Sequence, residues 1–131
     1  MISIAVIAHT PLASALVECA KHVLGHDPYV DFFDVQPNQC AADCAATIAD
    51  QLMALDRGDG ILVLTDLPGA SPSNIAVRAC HIAQESGVSC CVLGGVNASM
   101  LLRAINYRQG NLEDVASCAL AGANSALMRV D

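Results

Sequence analysis

The chain predicts an α/β fold: a doubly wound, mainly parallel open sheet with helices on both faces. Three observations point there. Short apolar runs such as Ile2-Ser3-Ile4-Ala5-Val6-Ile7-Ala8 and Ile61-Leu62-Val63-Leu64 stop abruptly at polar residues, as strands buried on both faces do. Between the runs, apolar residues recur at helical spacing. The chain is 54% hydrophobic but only 3% aromatic, so its core rests on Ala, Val, Ile, Leu and Cys, a composition suited to helices lying close on a sheet.

The first strand ends in His9, directly before Thr10-Pro11. Leu12, Leu16, Cys19, Ala20 and Val23 then mark a helix that ends near Gly25. Tyr29 to Asp34 reads as a short second strand between Pro28 and Pro37. Ala45, Ile48, Leu52 and Leu55 form the next helical face, closed by the Arg57-Gly58-Asp59-Gly60 turn. The third strand runs into Thr65-Asp66, and a helix follows from about Ser71 to Ser86. Val88 to Leu93 reads as the fourth strand, ending in Gly94-Gly95-Val96-Asn97. Two more helices are expected, over Ala98–Tyr107 and Leu112–Leu127, separated by Gly110-Asn111.

This β-α-β-α-β-α-β order implies right-handed crossovers and a parallel sheet. In the common strand order 2-1-3-4 the first and third strands are neighbours. His9 and Asp66 then flank the point where the winding direction reverses. At 131 residues, with no linker, repeat or low-complexity segment, residues 1–131 are expected to form one domain.

Charge and cysteine usage exclude several functions. A formal charge of −7 with no basic stripe argues against nucleic acid. No segment approaches the roughly 18 apolar residues of a membrane span, and the first apolar run lacks a basic leader, so a cytoplasmic protein is expected. Seven cysteines without a C-x-x-C pair fit neither a disulfide framework nor a zinc site, leaving reduced, mostly buried thiols and no metal.

A histidine becomes a nucleophile when one ring nitrogen is held by a hydrogen bond and the other is bare. Asp66 is the candidate partner that sets the tautomer and stabilises developing positive charge. Ser71-Pro72 reads as an N-cap followed by proline at the first helical position. Such a helix start offers free N–H groups and a positive dipole end to an anion. Gly69 would allow close backbone approach. Thr10, at the start of the first helix, and Asn97, after the fourth strand, reach the same rim. The candidate catalytic pair is therefore His9 and Asp66, with Ser71, Gly69, Thr10 and Asn97 as phosphoryl- or anion-binding residues. The strand-end loops show no Lys/Arg clamp, metal carboxylate cluster or base for water. Transient phosphorylation of the histidine fits that set, because phosphoryl transfer needs mainly positioning and charge stabilisation.

Across nearly its whole length the sequence resembles the EIIA component of the mannose family of the phosphoenolpyruvate-dependent sugar phosphotransferase system. The resemblance rests on the strand ending in His9, on Thr65-Asp66-Leu67-Pro68-Gly69-Ala70-Ser71-Pro72-Ser73-Asn74, and on Gly95-Val96-Asn97 followed by Met100-Leu101. It implies a phosphohistidine intermediate at His9, with the carrier HPr as donor and a IIB component as acceptor. Asp66 would orient the ring and Ser71 would bond near the phosphoryl group. It further implies no cofactor, and membrane association only indirectly, through a permease complex. A homodimer is implied too, with Leu127-Met128-Arg129-Val130 supplying an exchanged, added edge strand. Thr10, Ala70 and Ser73 stand where the family usually has glycine, glycine and an aromatic.

Two other functions compete. The phosphotransferase subunit that supplies dihydroxyacetone kinase shares the strand-end histidine but tends to lack the Ser-Pro-x-Asn helix start. A receiver or flavodoxin-like binding module would need an acidic pair after the first strand, or stacking aromatics. This chain has Ala8-His9 there, no Trp and only two Tyr.

Overall fold

The computed structural model describes residues 1–131. Four strands alternate with five helices: β1 (Ser3–His9), α1 (Leu12–Leu24), β2 (Asp31–Val35), α2 (Ala41–Leu55), β3 (Ile61–Thr65), α3 (Ser71–Glu85), β4 (Cys90–Leu93), α4 (Ala98–Tyr107) and α5 (Leu112–Ser125). All pairings are parallel, in the order β2-β1-β3-β4. The register sets Ile7 against Thr65 and His9 against Val35, so the ends of β1 and β3 share one rim.

Period-two alternation divides the core between the two faces of the sheet. Ile4, Val6, Leu62 and Leu64 pack with residues of α1, α4 and α5, including Ala13, Leu101 and Ala119. Ala5, Ile7, Ile61 and Val63 pack on the opposite side with Ile48 and Leu52 of α2 and Ile75 and Ala79 of α3. Alanines at these contacts let the helices approach closely, which explains a core almost free of aromatic rings.

Element edges differ from expectation where local geometry overrides apolar pattern. Tyr29 has φ 52°, a left-handed conformation no strand accommodates, and its N–H bonds to Asp27 Oδ1 at 2.8 Å. β2 therefore starts at Asp31 rather than Tyr29. β4 starts at Cys90, because Val88 N–H still bonds back to Ala83 O across the turn that ends α3. α5 stops at Ser125, two residues short of Leu127. Leu127 to Val130 pair with no strand of their own chain, and Leu127, Met128 and Val130 are strongly exposed.

Candidate active site at the sheet rim

β1 delivers the His9 backbone into the sheet and its imidazole to the surface: the side chain is 48% exposed, whereas that of Asp66 is 8% exposed. One carboxylate oxygen, Asp66 Oδ2, accepts two hydrogen bonds from the same residue, from the His9 backbone N–H at 3.0 Å and from Nδ1 at 2.7 Å. A carboxylate only accepts, so Nδ1 carries the proton and Nε2 holds the free lone pair. The two hydrogen bonds together also fix the ring relative to its own backbone.

Burial pushes the Asp66 carboxyl up, but the hydrogen bonds from the His9 backbone and ring, helped by the Leu67 N–H, outweigh it and hold the carboxyl below its usual range. The other carboxylate oxygen, Oδ1, is buried without a hydrogen-bond partner. Neighbouring Thr65 Oγ1 is buried and unpartnered too. The rim loop after β4 folds over this pair of residues: Gly95 N–H bonds to Asp66 O at 2.7 Å and Val96 N–H to Thr65 O at 2.9 Å. A Cβ at Gly94 would stand 2.7 Å from Pro68 Cγ, so only glycine lets the two rim loops meet there.

A cavity of about 320 Å³ opens at His9, lined also by Thr10, Val35, Gln36, Pro37, Gln39, Ser71 and Pro72. The structure thus brings His9, Thr10 and Ser71 together, with Asp66 behind the ring. Gly69 and Asn97 stand outside this cavity. Gly69 takes φ 87° in its turn, with open space where a Cβ would sit. Asn97 caps α4, its Oδ1 accepting from Met100 N–H at 2.9 Å. The β2–α2 loop residues Gln36 and Gln39, tied by Gln36 N–H to Gln39 Oε1 at 2.6 Å, form a wall that nothing in the sequence pattern singles out.

One helix start differs from expectation, and another already carries its own anion. Ser71 is the first helical residue, not the N-cap: extended Ala70 (φ −78°, ψ 171°) caps α3 and no side chain bonds to its first turn. Pro72 consequently sits one position further in, still within the turn whose N–H groups lack helical partners. The Ser71 hydroxyl, which makes no hydrogen bond to the protein, is left for the cavity, and the N–H groups of Ser71 and Ser73 also bond to nothing in the chain. At α1 an anion is already present, because Asp34 Oδ1 accepts from Ser14 N–H at 3.1 Å. α3, rather than α1, therefore offers the open anion-binding terminus. No three His, Cys, Asp or Glu side chains gather as a metal-ligand set.

A family model described as EIIA-man, phosphotransferase system fructose IIA component, matches residues 3–118. The chain is 31% identical over 107 residues to the mannose-specific EIIAB component of Escherichia coli (strain K12), which covers 82% of this chain and 32% of that protein. It is 28% identical over 118 residues to the transcriptional regulatory protein LevR of Bacillus subtilis (strain 168), covering 87% of this chain and 12% of that one. The chain thus spans about a third or less of these relatives' length. In fold it matches the phosphotransferase system component EIIA from Streptococcus agalactiae with a TM-score of 0.86 at 23% identity, over 98% of this chain and 97% of that one.

Proposed function

Starting from the fact that this chain belongs to the EIIA-man family of the sugar phosphotransferase system, we propose that His9 is its phosphoryl carrier, loaded from the phosphohistidine of HPr and discharged to a histidine of a IIB component. The observation that carries this reading is the 2.7 Å bond from Nδ1 to buried Asp66 beside a half-exposed ring. That bond directs the Nε2 lone pair outward, toward a protein donor.

In the transfer, Nε2 attacks phosphorus, the P–N bond to the donor histidine breaks, and the donor imidazole keeps the electron pair. His9 gains positive character as the new P–N bond forms, and Asp66 stabilises it through the retained Nδ1–H. The phosphoryl oxygens meet neutral donors: the hydroxyls of Ser71 and Thr10 and the free N–H groups at the start of α3. With no Lys or Arg lining the cavity, the phosphoryl group is held loosely enough to be passed on. Leu67, 62% exposed next to Asp66, supplies an apolar contact at the rim for the partner proteins.

The same reading includes a homodimer in which the exposed Leu127–Val130 segment crosses to the partner copy as an added edge strand. It places the chain in the cytoplasm, reaching the membrane only through a permease complex; no helix of the chain is long and apolar enough to cross one. The similarity to a segment of a transcriptional regulatory protein favours a second output, in which the phosphorylation state of His9 regulates a partner rather than feeding sugar uptake.

Incubation with phosphoenolpyruvate, enzyme I and HPr tests the proposal. Wild-type protein should acquire an acid-labile, base-stable phosphate, and His9→Gln should acquire none. Label that persists in His9→Gln would overturn it.

A further inference from the structure

At the opposite end of the sheet, roughly 20 Å from His9 by the length of β1, lies a second cavity of about 290 Å³. Arg57, Arg108, Tyr29 and Asp31 line it, together with the first residues of the chain. Arg108 is the unusual member. It is 8% exposed, yet every hydrogen bond it makes goes to a backbone carbonyl. Nε and Nη2 share Ile2 O at 3.3 and 3.2 Å, and Nη1 reaches Pro28 O at 2.8 Å and Tyr29 O at 3.2 Å. Four of the five guanidinium donors are thereby used, and one on Nη2 is left over.

No carboxylate balances this buried charge, although buried charges are ordinarily paired. A second cation makes the imbalance larger. Arg57 faces the same cavity, engages in no salt bridge, and adds its repulsion to the burial that lowers the Arg108 pKa. The chain has only six Lys and Arg against thirteen Asp and Glu, so two unpaired arginines converging on one cavity run against its overall charge. Strain marks the same place. The left-handed Tyr29 backbone is strained, and its carbonyl accepts from Arg108 while the residue stays 72% exposed at the cavity. Asp31 is the one carboxylate in the lining, and it forms no ion pair with either arginine.

We propose that this cavity binds a small oxyanion, a carboxylate or phosphate group, which completes the hydrogen bonding of Arg108 and takes Arg57 as its second, charge-assisted contact. The site is separate from His9 and does not depend on its phosphorylation. Asp31 opposes the anion and sets its affinity. Two exposed residues, Arg57 and Asp31, thus act on the ligand with opposite sign, whereas a purely structural Arg108 staple would leave both without influence.

Residue-resolved NMR titration of the whole chain with inorganic phosphate and, separately, with succinate, at constant ionic strength, tests this. Saturable shifts are expected at the amides of Ile2, Tyr29, Asp31 and Arg108 with at least one of the two anions. Arg57→Gln should weaken that binding about tenfold or more, the loss of one charge-assisted hydrogen bond. Asp31→Asn should tighten it. Both positions are exposed, so unchanged spectra elsewhere will confirm that the variants fold. The proposal is overturned if neither anion gives saturable shifts at those amides, if shifts gather only around His9 and Ser71, or if Arg57→Gln and Asp31→Asn leave the affinity unchanged.

Discussion

His9 donates twice to one oxygen of Asp66, so the pair acts as a single rigid unit whose charge matters more than its shape. Asp66→Asn keeps the shape and removes the charge, and should slow phosphoryl transfer by on the order of 100-fold or more, measured as the rate of label uptake from phospho-HPr. The same substitution carries a pH signature. The Asp66 carboxyl is held below its usual range in the folded chain, so its stabilising contribution is complete above the unfolded value of about 4 and disappears as pH falls through the lowered folded value. Urea unfolding should therefore show the stability gap between wild type and Asp66→Asn narrowing below about pH 4; a gap that widens on acidification contradicts the assignment. Thr65 offers the converse case. Its hydroxyl is buried without a partner, so Thr65→Val removes a desolvation cost of about 1–3 kcal/mol and should leave the melting temperature unchanged or raised. A lowered melting temperature would mean that the hydroxyl has a partner.

Helix starts decide which side chains are free for chemistry. Ser71 is the first residue of α3 and makes no cap, whereas Asn97 caps α4. Ser71→Ala should accordingly change stability by less than about 0.5 kcal/mol while slowing transfer, and Asn97→Ala should cost about 1 kcal/mol. Thermal or urea unfolding of the two variants, set beside their labelling rates, separates the roles. The reversal of that pattern would restore Ser71 as a cap. Proline is tolerated anywhere in a first turn whose N–H groups are unpaired, so Ser-Pro alone does not locate the cap at Ser71. α1 was harder still: its capping carboxylate is Asp34, twenty residues away on β2, a contact that exists only once the strands pair.

Across the whole molecule, the parallel order β2-β1-β3-β4 and the meeting of His9 with Asp66 were legible because both follow from buried apolar runs and the handedness of their crossovers. What was illegible depends on contacts between distant segments. Gln36 and Gln39 wall the His9 cavity from a loop with no motif, and Arg108 joins the start of β1 to the turn before β2 although nothing around it in sequence marks it. The proposed transfer turns on one atom. Nδ1 is occupied by Asp66, so the proposed phosphoryl group is expected on Nε2 of His9. A long-range ¹H–¹⁵N correlation spectrum of histidine-labelled protein, recorded after loading from phosphoenolpyruvate through enzyme I and HPr, reads this directly, and the chain's four histidines are few enough to assign. Phosphorylation is expected at His9 Nε2 with Nδ1 still protonated; a phosphoryl group on Nδ1, on His22, His26 or His81, or on no histidine would overturn the proposed transfer.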